Sequence, residues 1–95
     1  MFPQLLEVQA IEKYVLFLRF SDGTLGDVDL GHLARKGVFK DWDKNDLFEK
    51  VKIDPETNAV SWNEMLELDP DSLYLKVRGL TFEEMKKQQF EYATN

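Results

Sequence analysis

The sequence predicts an α+β domain: a small twisted antiparallel sheet of four or five strands, built from two hairpins, with short helices over one face and a C-terminal helix. Three observations carry the prediction. Two runs near the N-terminus have strand composition, and the second of them alternates like a half-buried strand. Turn chemistry recurs at Asp22-Gly23 and at Asp54-Pro55-Glu56-Thr57-Asn58, each time between apolar runs. The C-terminal stretch then changes to helical spacing behind a capping box.

Leu6 to Ile11 and Tyr14 to Phe20 are the first two strands, the second alternating Tyr14, Leu16, Leu18 and Phe20 against Val15, Phe17 and Arg19. Asp22-Gly23 tolerates the positive φ values of a type I′ turn, so Thr24 to Leu30 returns as a third strand. A strict two-residue loop would set Asp27 and Asp29 opposite Leu18 and Leu16 and bury two carboxylates. An extra residue at Gly26, as a β-bulge, brings Val28 and Leu30 to the apolar face instead.

Gly31 to Trp42 reads as a short helical turn followed by an irregular link. Asn45 or Asp43 is expected to cap a helix running to about Lys50 that buries Leu47 and Phe48. Val51 and Ile53 flank Lys52, and Val60 and Trp62 flank Ser61, which makes the second hairpin. Asp69-Pro70-Asp71-Ser72 has the form of a cap with proline at the first helical position, opening a short turn that carries Leu73 and Tyr74. The predicted core is Leu16, Leu18, Phe20, Val28, Leu30, Leu47, Phe48, Ile53, Val60 and Trp62, the apolar positions whose periodicity agrees with the turns.

In the last element Thr81 and Glu84 have capping-box spacing, with Leu80 and Met85 at the staple positions. Residues 1–79 are therefore the α+β domain, and residues 80–95 an amphipathic helix attached to it. Phe82, Met85, Phe90 and Tyr92 fall on one broad face that Lys86 and Gln89 interrupt. An isolated helix of this length is marginal in water, so the face must dock, on a partner or on the sheet itself.

The chain's 95 residues, 43% of them hydrophobic, have room for a single core. A net charge of -6 disfavours broad attraction to nucleic acid or anionic membranes. The absence of cysteine excludes disulfides and thiolate metal sites and fits a reducing compartment, so a cytoplasmic protein is expected. Met1 to Glu7 has neither the basic start nor the apolar segment of a signal peptide, and the apolar run Tyr14 to Leu18 is too short to span a bilayer.

Chemistry-bearing patterns are weak. Asp41-Trp42-Asp43-Lys44-Asn45 opens like a calcium loop, but Asp46 stands where glycine is needed and Lys52 where a bidentate glutamate is needed. His32 is the only imidazole and has no metal-ligand spacing; no serine lies in a nucleophile elbow, and no glycine cluster cradles phosphate. No metal, cofactor or catalytic set is expected. Charge is uneven, however. Arg35, Lys36, Lys40, Lys44, Lys50 and Lys52 form a candidate basic patch, whereas Asp54 to Asp71 holds six acids and no base.

The order of these features is distinctive. Phe20-Ser21-Asp22-Gly23 is followed by Val28-Asp29-Leu30, Leu33, Gly37 and Phe39, then by Leu47-Phe48, Val51, Ile53, Asp54-Pro55-Glu56, Val60 and Trp62, and last by Leu68-Asp69-Pro70-Asp71-Ser72-Leu73-Tyr74. From about Leu6 to Tyr74 the chain resembles the small bacterial family catalogued as domain of unknown function 2442. The resemblance implies an α+β domain and brings no catalytic or ligand residues. It also implies a place in a two-gene cassette, suspected in some relatives to be of the toxin-antitoxin kind. Some relatives add a helical DNA-binding domain, for which the 21 residues after Tyr74 are too few.

The function expected is that of a non-catalytic bacterial protein-interaction module, with a protein partner or a second copy as its ligand and Phe82, Met85, Phe90 and Tyr92 as contacts. The alternatives are a nucleic-acid-associated regulator and an enzyme of unknown activity. A DNA binder needs a continuous basic face, whereas these bases are interleaved with Asp41, Asp43, Asp46 and Glu49.

Overall fold

Alternation along the second strand sorts its side chains as expected: Leu16, Leu18 and Phe20 are at most 1% exposed, while Val15 and Phe17 are half-buried and Arg19 is exposed. A computed structural model describes residues 2–79 of the chain, so the helix expected over 80–95, with Phe82, Met85, Phe90 and Tyr92, lies outside the described residues. The elements in order are β1 (Leu5–Glu12), β2 (Val15–Phe20), β3 (Leu25–Asp29), two short 3-10 segments (Gly37–Asp43 and Leu47–Lys50), β4 (Lys52–Ile53), β5 (Val60–Asn63), β6 (Leu66–Leu68) and α1 (Pro70–Arg78).

The class is α+β, but the strands form two three-stranded antiparallel sheets, β1-β2-β3 and β4-β5-β6, and not one sheet of four or five. The side chain of Asn58, in the turn before β5, accounts for part of the division. Its Oδ1 accepts from the Leu5 N–H at 3.0 Å and its Nδ2 donates to the Leu5 carbonyl at 3.0 Å. An amide thus occupies main-chain groups of β1 that a further strand would use.

In the β2–β3 hairpin the expected register is present, but the device that sets it is different. The loop has three residues, Ser21-Asp22-Gly23, closed by the Phe20 N–H donating to the Thr24 carbonyl at 2.8 Å. Gly23 takes φ +88°, so the extra residue is in the loop and there is no bulge at Gly26. Leu16 faces Val28 and Leu18 faces Gly26 in an unbroken ladder. Gly26 is needed for packing instead, since a Cβ there would stand 3.0 Å from Val77 Cγ1 of α1.

Neither Asn45 nor Asp43 caps the following segment. Leu47–Lys50 begins behind Asp46 at φ +56° with no side-chain cap, and it is a single 3-10 turn. Helix α1 fits its signals better. Asp69 Oδ1 accepts from the Asp71 N–H at 3.0 Å, Pro70 opens the helix, and Gly79 closes it at φ +66° by donating to the carbonyls of Leu75 and Lys76. The helix is longer than the short turn expected.

Of the predicted core, Leu16, Leu18, Phe20, Val28, Leu30, Phe48, Val60 and Trp62 are buried, and Leu47 and Ile53 are half-buried. The unpredicted centre is Trp42. Its ring lies 5.0 Å from Phe48 and 4.9 Å from both Trp62 and Phe39, and such pairs each add about 0.5–1.5 kcal/mol beyond their area. Trp62 Nε1 donates to the Phe48 carbonyl at 2.9 Å, which ties the aromatic layer to the chain before β4.

Candidate functional site

The six bases of the candidate patch are all exposed, but they are spread over successive elements. Arg35 and Lys36 precede the first 3-10 segment, Lys40 is within it and Lys44 follows it. Lys50 ends the second segment and Lys52 is in β4. A carboxylate is paired with one of them, and two more act at longer range on carboxylates. Lys44 Nζ is 3.0 Å from Asp41 Oδ1, the Arg35 charge acts on Asp43, and the Lys52 charge acts on Asp54.

Asp43 is the more constrained group. The Tyr14 hydroxyl donates to its Oδ1, and Lys13 Nζ stands 3.5 Å from the same oxygen. The tyrosine hydrogen bond first, and then the Lys13 and Arg35 charges, hold the Asp43 carboxyl below its ordinary pKa; the same hydrogen bond raises that of Tyr14. Tyr14 itself sits at φ +68°, a conformation that a bulky residue keeps only when its surroundings fix it. Its ring is held 6.1 Å from Trp42 and 5.7 Å from Phe48. A hollow of about 180 Å³ opens here between Lys13, Trp42, Asp43, Asp46, Phe48 and Glu49.

A second hollow, of about 240 Å³, lies between β6, α1 and the turn after β3. Its floor is Leu30, Leu33, Leu68 and Leu73 and its rim is Glu67, Asp69, Ser72 and Lys76. The Asp69 cap shapes this rim, because Ser72 Oγ donates to Asp69 Oδ2 at 3.2 Å while the other oxygen of Asp69 holds the helix start. His32 meets Lys76 Nζ at 3.4 Å across the edge of the cleft and does not approach a serine. Among the described residues, no group of three or more His, Asp or Glu side chains could hold a metal ion.

A family model described as Protein of unknown function (DUF2442) matches residues 5–79, which takes in every strand from β1 and ends at the glycine that closes α1. The chain belongs to the DUF2442 family. No curated protein and no solved structure matches it.

Within this DUF2442 domain, the residues that link its parts across the chain are mostly ones that sequence reasoning passed over. Tyr14 reads as the first residue of a strand and is a turn residue whose hydroxyl reaches Asp43. Asn58 reads as turn chemistry and bonds a strand 53 positions away. Tyr74, read only as apolar, donates to Asp22 Oδ2 at 2.6 Å and accepts from Arg78 at 2.9 Å. Between β5 and β6 the chain makes a tight turn in which the Met65 N–H donates to Asn63 Oδ1 at 2.8 Å. No helix among the described residues is long and apolar enough to cross a membrane.

Proposed function

We propose that this DUF2442 chain is a non-catalytic protein-interaction module whose partner is the small protein encoded beside it, as in a two-gene cassette of the toxin-antitoxin kind. The cleft between β6 and α1 carries the reading. A leucine floor within a rim of Glu67, Asp69, Ser72 and Lys76 has the anatomy of an interface core and its polar border. Phe82, Met85, Phe90 and Tyr92 supply a second apolar contact on the same partner. The runner-up, a nucleic-acid-associated regulator, is weakened by the net charge of -6 and by the pairing of Lys44 with Asp41. Such a module works in the cytoplasm of a bacterium, without metal or cofactor.

Co-expression with the neighbouring gene product tests the proposal. The expected result is a complex that sediments at the summed mass and that Ser72→Arg, which fills the cleft, abolishes at an unchanged melting temperature. Removing residues 80–95 should weaken the same complex. A complex indifferent to Ser72→Arg would overturn the assignment of the cleft. Tight, steeply salt-dependent DNA binding in gel shifts would establish the regulator instead.

A further inference from the structure

β3 is one of the two outer strands of its sheet, and its main-chain phase is fixed at both ends. The Leu30 N–H donates to the Tyr14 carbonyl at 2.6 Å, and the Phe20 N–H donates to the Thr24 carbonyl at 2.8 Å. Alternate residues of an antiparallel strand face its neighbour, so Thr24, Gly26, Val28 and Leu30 turn their main-chain groups to β2. Leu25, Asp27 and Asp29 turn theirs outward. Among the described residues, no main-chain group across that edge bonds their N–H and C=O groups.

The side chains of these three residues share the outer face and are exposed, Leu25 at 57%. Across the ladder Asp27 faces Phe17 and Asp29 faces Val15, and Arg19, the β2 cation diagonal to Asp27, is paired with Glu7 at 3.1 Å, so β2 sets no cation directly opposite either carboxylate. No ion pair among the described residues includes them; the one bond to Asp29 is the Gly31 N–H donating to its Oδ1 at 2.8 Å. On the inner face, Gly26 has no side chain, and Val77 of α1 stands beside it.

We propose that this edge accepts an extended segment of a partner protein as a fourth strand, and that the segment carries Lys or Arg at alternate positions. Residues opposite Asp27 and Asp29 would share their face at about 5 Å between Cβ atoms, where opposite charges are favoured. The residue opposite Leu25 is apolar, and those between face the low apolar step at Gly26 and Val77. A second copy of β3 is a poor occupant, because pairing along the whole edge sets Asp27 against Asp27 of that copy. Nor does the chain's own sequence after Gly79 fit: Lys86 and Lys87 are adjacent, and adjacent residues of a strand point to opposite faces. The inference rests on the reading of the chain as an interaction module, but it uses a surface separate from the cleft.

The test uses the full isotope-labelled chain and the peptide acetyl-Lys-Val-Lys-Val-Leu-amide at low salt, followed by amide NMR. The amides of Leu25, Asp27 and Asp29 should shift and exchange more slowly on titration, while those of Gly26 and Val28 keep their protection. Double reversal, Asp27→Lys with Asp29→Lys, should weaken binding roughly tenfold, since two cross-strand pairs are lost and two repulsions created. The same peptide with Glu for Lys should not bind, a comparison that needs no altered protein. Unmoved Leu25, Asp27 and Asp29 amides at millimolar peptide would overturn the proposal, as would equal binding of the Lys and Glu peptides. Shifts confined to Leu33 and Ser72 would overturn it in favour of the cleft. Loss of the co-expressed partner with Ser72→Arg but not with the double reversal would leave the module reading intact and show that this partner does not use the edge.

Discussion

Replacing Asn58 by glycine isolates the link between the two sheets. Asn58 sits at φ +63°, so glycine keeps the backbone conformation while deleting the amide. Two hydrogen bonds of 3.0 Å to Leu5 disappear, and the N–H and C=O of a residue only 2% exposed lose their partners. Each bond contributes a net 0.5–1.5 kcal/mol or so, and an unsatisfied buried group costs about 1–3 kcal/mol. Because the site is only part-buried, water recovers some of this, and the expected loss is about 2–3 kcal/mol. At roughly 4–8 °C per kcal/mol for a domain of this size, the melting temperature should fall by about 10–20 °C. Asn58→Ala should cost about 1 kcal/mol more, because its Cβ must be held at positive φ. Urea titrations of the three proteins, read by tryptophan fluorescence and by far-ultraviolet circular dichroism, give the numbers. If Asn58→Gly lies within about 0.5 kcal/mol of the parent, the range of an ordinary surface change, the amide does not join the sheets as described.

Other perturbations follow from the same packing. Trp62→Ala should cost about 3–5 kcal/mol by calorimetry or urea titration, and Trp62→Phe about 1–3 kcal/mol because the Phe48 carbonyl is then left unpaired. Gly26→Val should destabilise by about 1–3 kcal/mol through its clash with Val77, and Val77→Ala in the same chain should restore part of the loss, as a double-mutant cycle would show. Burial works against the Asp22 carboxylate, but hydrogen bonds from Tyr74 and Thr24 and the Arg78 charge outweigh it and hold its pKa below 3.8. A folded pKa below the unfolded one means that this stability is fully present above the unfolded value and is lost as pH falls through the folded one. Urea midpoints measured on acidification from about pH 5 to 2 should therefore fall, and Asp22→Asn should flatten part of that fall.

Local signals were legible where one residue type had one use. Asp69-Pro70 could be read as a helix start because a carboxylate cap and a proline at the first position satisfy the same end, and both do so. Asp22-Gly23 marked a hairpin, yet Gly23 and Gly26 were equally able to take the extra residue, and only the approach of α1 shows which glycine is a turn and which is a packing gap. Trp42 was hidden by its neighbours, since Lys40, Asp41, Asp43 and Lys44 make its surroundings read as surface; a 3-10 turn directs it inward from a charged sequence. β6 has three residues, too few for an alternation to register, and Leu66 is nonetheless fully buried. The candidate site shares this limit. The cleft needs leucines from three separate parts of the chain, the turn after β3, β6 and α1, and the open edge of β3 is a main-chain property that side-chain patterns do not report.

Two hydrogen-bonded links, Leu5 to Asn58 and Asp22 to Tyr74, span 53 and 52 positions of the chain. The first joins the two sheets and the second ties the β2–β3 loop to α1, whereas the strand pairs themselves are hairpins, closed within a few residues of each turn. Local closures carry little loop entropy and form early, whereas links of this span require both halves to be in place. An interaction made on the native side of the rate-limiting step slows unfolding and leaves the folding rate nearly unchanged, so the expected outcome for Asn58→Gly is a faster unfolding limb of the chevron over an almost unmoved folding limb. Such late latches would set the lifetime of the folded domain more than its speed of formation.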